Sequence, residues 1–71
     1  MTDTQVLEER KRIGRQLRDL RLEHNYSQAQ VGEGMGVSHE TVSKIESGKW
    51  NFGIDTVIKY TGVFKSKPKF T

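Results

Sequence analysis

Residues 27–49 read SQAQVGEGMGVSHETVSKIESGK, and this stretch decides the fold. Ser27 followed by Gln30 makes a capping box, in which the hydroxyl takes the third helical N–H and the Gln amide reaches back to the cap's own N–H. It opens a short helix with Val31 and Met35 four residues apart on one face. Gly36 supplies the positive φ that helix ends favour. Val37-Ser38 then starts a new element with Ser38 as its N-cap, and HETVSKIE carries Val42 and Ile45 before Ser47-Gly48 closes it. Two short helices joined by a glycine-containing turn form a helix-turn-helix, a pair that many small helical proteins also contain by accident. Gly32 and Gly34 each cost about 1 kcal/mol relative to Ala inside a helix, so tertiary packing has to hold the first helix of the pair.

The flanks predict one helix on either side. Upstream, EERKRIGRQLRDLRLEH over residues 8–24 places Ile13, Leu17 and Leu20 at i, i+4 and i+7 among Arg and Glu, the amphipathic helical period, and Asn25-Tyr26 ends it. Downstream, after the loop KWNFG, the segment IDTVIKYTGVF places Ile54, Val57, Ile58 and Thr61 on one stripe, with Phe64 a turn beyond it. Tyr26 and Phe52 are expected to close the core, and Trp50 to cover its end. Residues 1–7 carry no strong pattern and are expected to fray, although Thr2 with Gln5 could form a weak capping box. Residues 65–71, KSKPKFT, hold three Lys and the only Pro and are expected to form a flexible basic tail. The reading is therefore an all-α, four- or five-helix domain over residues 8–64.

Composition sets the function classes. In 71 residues only one small domain fits, and with 32% apolar residues nearly all of them must be buried. There is no Cys, so no disulfide framework or thiolate metal site is available, and a reducing compartment is expected. No apolar run is long enough for a signal peptide or a membrane span, which gives a cytoplasmic expectation. The net charge of +3 and a pI near 9.5 favour a polyanionic partner. The charge is uneven: +1 over residues 1–24, −2 over residues 25–46 and +4 over residues 47–71. A chain that held nucleic acid by charge alone would not place its acidic third at the centre. An enzyme is not expected either, since the two His stand fifteen positions apart and the chain is too short to enclose a sizeable pocket. The glycines of VGEGMG follow no strand and precede no Lys-Ser/Thr pair, so they are not a phosphate loop. No cofactor is expected.

The helix-turn-helix stretch resembles that of the phage repressor, Cro and XRE family of transcriptional regulators, whose domain is lambda-repressor-like. The resemblance rests on Ser27-Gln28, Gly36-Val37-Ser38, Thr41-Val42-Ser43, Ile45-Glu46 and Gly48, on Leu17-Arg18 and Arg21 upstream, and on Asn51 and Ile54/Val57/Ile58 downstream. It covers about residues 13–64. Gly32 departs from it, where the family usually has Ala, as do Gly34, Phe52 and Thr61. The family's fifth helix would have to follow Phe64.

The resemblance implies that helix three reads base edges through His39, Glu40, Ser43 and Lys44. Their chemistry suits base recognition, since Lys donates to guanine, Glu accepts from cytosine N4, and His serves at a purine N7. It implies phosphate contacts for Ser27, Gln28, Ser38, Lys49 and Asn51, and a structural ion pair between Arg21 and Glu46. Each has a plainer alternative. Glu40 could be a solvated charge favourable at a helix N-terminus, Ser27 and Ser38 could be caps alone, and Lys49 could be solvated. For Arg10, Lys11, Arg12 and Arg15 the plainer reading is favoured, because Glu8, Glu9 and Asp19 lie within three or four residues and predict a paired, solvated face. The expected function is sequence-specific binding of double-stranded DNA by a homodimer on a two-fold operator, regulating transcription on the nucleoid. The alternative is an antitoxin or adaptor module that uses the same fold on a protein partner. A non-specific chromosome-associated protein is disfavoured by the acidic centre.

Overall fold

The computed structural model describes residues 2–49 and 53–65. They form four helices, α1 (Asp3–Glu23), α2 (Gln28–Met35), α3 (His39–Ser47) and α4 (Ile54–Lys65). Trp50, Asn51 and Phe52, and residues 66–71 of the expected tail, lie outside the described residues.

Local sequence explains where the first three helices begin and end. The Thr2–Gln5 capping box is formed in both directions, and α1 runs from Asp3, so residues 3–7, expected to fray, are helical. The box between Ser27 and Gln30 opens α2, and the Ser38 hydroxyl accepts the Thr41 N–H to open α3. All three helices close in the same way, with one residue in the left-handed region followed by a long backward bond. Asn25, at φ 59°, lets Tyr26 N–H reach Arg21 O; Gly36, at φ 80°, lets Val37 N–H reach Gly32 O; and Gly48, at φ 79°, lets Lys49 N–H reach Lys44 O. This closure satisfies carbonyls that a helix end otherwise leaves bare.

The core is built from Leu17 of α1, Val31 of α2, Val42 and Ile45 of α3, and Tyr60 and Val63 of α4, with Ile13, Tyr26, Met35 and Phe64 packed around it. Burying each large aliphatic side chain contributes about 1.5–3 kcal/mol. One element departs from the sequence expectation. The stripe of Ile54, Val57, Ile58 and Thr61 does not face the core: Ile54 is 71% and Ile58 59% exposed, whereas Tyr60 is fully buried. The helix is rotated because Tyr60 brings a hydroxyl that needs a buried acceptor and finds it in Glu46, while Val63 fits against the bare backbone of Gly34. Val57 and Thr61 turn instead toward α1, where they line an open groove with Ile13, Leu17 and Leu20.

Gly32 permits the tight turn between α2 and α3, since a Cβ there would lie 2.6 Å from the Val37 carbonyl oxygen and 3.2 Å from the Ser38 backbone. A Cβ on Gly34 would meet only side-chain atoms, the two Val63 methyl groups at 3.0 Å. Gly32→Ala is therefore expected to lose about 1–3 kcal/mol by overpacking against backbone. Gly34→Ala should stay within about 1 kcal/mol of the parent, because its gain in helix propensity is offset by pressure on Val63. Urea denaturation of the two variants tests this ordering; a Gly34→Ala loss equal to that of Gly32→Ala would contradict it.

Candidate nucleic-acid interface

α3 presents its polar residues as one continuous face. At 100° per residue, His39, Ser43, Ser47, Glu40 and Lys44 fall within an arc of about 140°, and all five are exposed. Val42, Ile45 and Glu46 occupy the opposite, buried side. Glu40 and Lys44 are one turn apart yet form no ion pair among the described residues, so carboxylate and ammonium both face outward without neutralising each other. Ser47 lies in the middle of the arc and was not singled out from the sequence, although its place four residues after Ser43 and seven after Glu40 puts it there. Its hydroxyl donates to Lys44 O at 3.1 Å.

The back of α3 is fixed by a buried carboxylate. Glu46, 6% exposed, accepts four hydrogen bonds. Its Oε2 takes Tyr60 O–H at 2.6 Å and Arg21 Nε–H at 2.7 Å; its Oε1 takes Arg21 Nη2–H at 3.0 Å and Gln28 Nε2–H at 3.2 Å. Arg21, 8% exposed, spends its remaining amino group on the Tyr26 carbonyl at 2.9 Å. One side chain of α3 thereby ties α1, α2 and α4 together. Burial pushes the Glu46 carboxyl up, but the hydrogen bonds from Arg21, Tyr60 and Gln28 outweigh it and hold the group below the usual carboxylate range. Burial and the bond to Glu46 push the Tyr60 phenol well above its ordinary value, so it remains a donor.

Backbone closeness completes the mount. Gly14 of α1 sits on the end of α3, where a Cβ would lie 2.5 Å from Glu46 O and 2.7 Å from Ile45 O. Gly48 meets α1 in turn, its missing Cβ falling 2.8 Å from Lys11 N. Neither Gly14 nor Tyr60 was singled out from the sequence; a glycine inside an otherwise strong helix was the available signal for the first.

The residues expected to touch phosphate are placed less uniformly. Lys49 is exposed just beyond α3. Ser38 is exposed, with its hydroxyl shared between the Thr41 amide and the Thr41 hydroxyl. Ser27 is occupied in both directions by its capping box with Gln30. Gln28 is half-buried and directed inward to Glu46, a role the sequence did not suggest; a two-hydrogen amide keeps one donor over, and the backbone N–H groups of Gln28 and Ala29 have no intrahelical acceptor. Asn51 lies outside the described residues.

Among the described residues no helix is long and apolar enough to cross a membrane, and no three acidic or histidine side chains gather closely enough to hold a metal ion. Comparison with known proteins finds a family model, described as helix-turn-helix, that matches residues 17–70. No curated protein and no solved structure matches the chain. With two capped short helices set around a glycine turn, a third helix braced behind them, and a family match over most of its length, the chain belongs to the helix-turn-helix family of XRE- and Cro-like DNA-binding regulators.

Proposed function

We propose that this chain recognises a specific duplex sequence by laying α3 in the major groove, with His39, Glu40, Ser43 and Lys44 at base edges and Ser27, Gln28, Ser38, Lys49 and Asn51 at the sugar-phosphate backbone, and that it represses transcription as a homodimer on the nucleoid in the cytoplasm. The observation that carries this reading is the unpaired polar arc of α3, backed by a side chain bonded to all three other helices. A reader has to hold donors and acceptors at fixed positions, and a helix anchored through Glu46 does so. The homodimer rests on the outward stripe of α4, where Ile54 and Ile58 are exposed beside Val57 and Thr61, the two residues of this helix that line the groove against α1. Two copies joined there would present paired reading helices to half-sites about 34–36 Å apart.

Selection from a random duplex pool, followed by titration of variants on the selected site and on random duplex, tests the reading. Lys44→Ala and His39→Ala are expected to cost about 1–3 kcal/mol on the selected site, to relax preference at one or two base pairs, and to change random binding little. Lys49→Ala should weaken both and lower the log–log salt slope by about one unit. If Lys44→Ala loses equally on both duplexes while Lys49→Ala alters base preference, α3 is not the reader. Selected sites without an inverted repeat contradict the homodimer. The same stripe of Ile54 and Ile58 favours a second reading, an antitoxin or adaptor module whose apolar face meets another protein; binding with little salt dependence would favour it.

A further inference from the structure

The family match begins at Leu17, but α1 begins at Asp3, so residues 3–16 form a helical extension ahead of the matched segment. This extension is not a loose appendage. It lies against the last turn of α3, with Lys11 packed on Gly48 and Gly14 on the carbonyls of Ile45 and Glu46. Lys11, Arg15 and Arg18 recur at i, i+4 and i+7, which makes one stripe on α1, and all three are exposed.

The sequence favours a self-neutralised face here, and only part of it forms. Arg12 pairs with Glu9 at 2.6 Å, whereas Lys11 and Arg15 form no ion pair among the described residues, despite Glu8 and Asp19 within reach along the helix, and Arg18 has no acidic residue three or four positions away. Lys11 and Arg15, like charges one turn apart, repel each other by a few tenths of a kcal/mol unless an anion lies over them. The stripe also continues the interface already described. Lys11 touches the C-cap of α3, and the Lys49 amide bonds Lys44 O at 3.0 Å, so Lys11, Lys44 and Lys49 leave the backbone around one helix end.

We propose that Lys11, Arg15 and Arg18 hold phosphates of the same duplex, beyond those reached from α3 and the residue after it, so that the extension of α1 lengthens the footprint on the DNA backbone. The proposal rests on the reading that α3 lies on DNA. Its occupant is a phosphate backbone because the stripe offers cationic donors spaced along about 10 Å of helix and no apolar side chain between them. Such contacts add affinity and salt dependence without sequence preference.

The test is titration of the parent, Lys11→Gln, Arg15→Gln and the double variant against the selected site and random duplex across a range of salt. Glutamine keeps the stem that packs on Gly48, and circular dichroism melts confirm that each variant is folded. Each single change is expected to lower the log–log slope by about 0.9 on both duplexes, and the double variant by about 1.8. Between 50 and 200 mM salt the parent should therefore lose about 12-fold more affinity than the double variant. Arg12→Gln, whose guanidinium is engaged by Glu9, removes the same net charge and should leave the slope unchanged. The proposal is overturned by a double variant that keeps the parent slope while Lys49→Gln lowers it, an outcome that leaves the DNA reading intact. An equal fall for Arg12→Gln also overturns it, since total charge would then be responsible. A parent without salt-dependent binding to any duplex refutes the DNA reading and the proposal together.

Discussion

Glu46→Gln is expected to destabilise the domain by about 3–5 kcal/mol, because it removes the charge that compensates a buried guanidinium and leaves Arg21 nearly enclosed without a counter-ion. The amide also brings two donors to a position where Arg21 Nε, Arg21 Nη2, Tyr60 O–H and Gln28 Nε2 all need acceptors. In a domain of this size such a loss lowers Tm by more than about 12 °C. A melt that coincides with the parent's would show that water reaches the pair. The pH dependence gives an independent check. The folded pKa of Glu46 lies below the ordinary value of 4.5, so its stabilisation is complete above that pH and is lost as pH falls through the folded value. The gap between parent and Glu46→Gln should accordingly be widest near neutrality and narrow in acid. At the other end, the raised Tyr60 pKa means that its contribution is complete below pH 10 and declines above it.

Gly14→Ala is the second large effect expected. In most helix interiors this change gains about 1 kcal/mol, since Ala is the better helix former. Here the new methyl group would meet two backbone carbonyl oxygens, at 2.5 and 2.7 Å, which cannot rotate away as a side chain can. α1 would have to shift from the end of α3, which stretches the Arg21–Glu46 bonds two turns further along the same helix. We expect a loss of at least about 3 kcal/mol, at the upper end of overpacking costs, and, on the proposed function, weaker binding on the selected site because α3 loses its mount. Urea unfolding with a site titration checks both, and a stabilised variant would mean that α1 and α3 are further apart than described.

Much of the fold was legible because its signals are local. Ser27 with Gln30, Ser38, Gly36 and Gly48 act within four residues of themselves, so the limits of α2 and α3 follow from residue chemistry alone. The exposed polar face of α3 was legible for the same reason: once Val42 and Ile45 point inward, the helical period turns His39, Glu40, Ser43 and Lys44 outward. The start of α1 lies earlier than its apolar pattern suggests, because residues 3–7 have little such pattern and the signal that extends the helix is the capping box of Thr2 and Gln5.

What sequence left open is which of two faces an element buries. In α4 the stripe of Ile54, Val57, Ile58 and Thr61 and the face of Tyr60, Val63 and Phe64 both have helical spacing, and hydrophobicity alone prefers the first. Tertiary structure chose the second, because Glu46 had a lone pair to satisfy and Gly34 left room for Val63. The inward turn of Gln28 and the demand for glycine at position 14 have the same origin. By itself the sequence determined the capped pair α2 and α3, a helix on either side of it and an outward polar face on α3; only the packed chain decided which side of α4 is core and which groups share the Glu46 carboxylate, since a buried acceptor and a backbone clash exist only once distant residues meet.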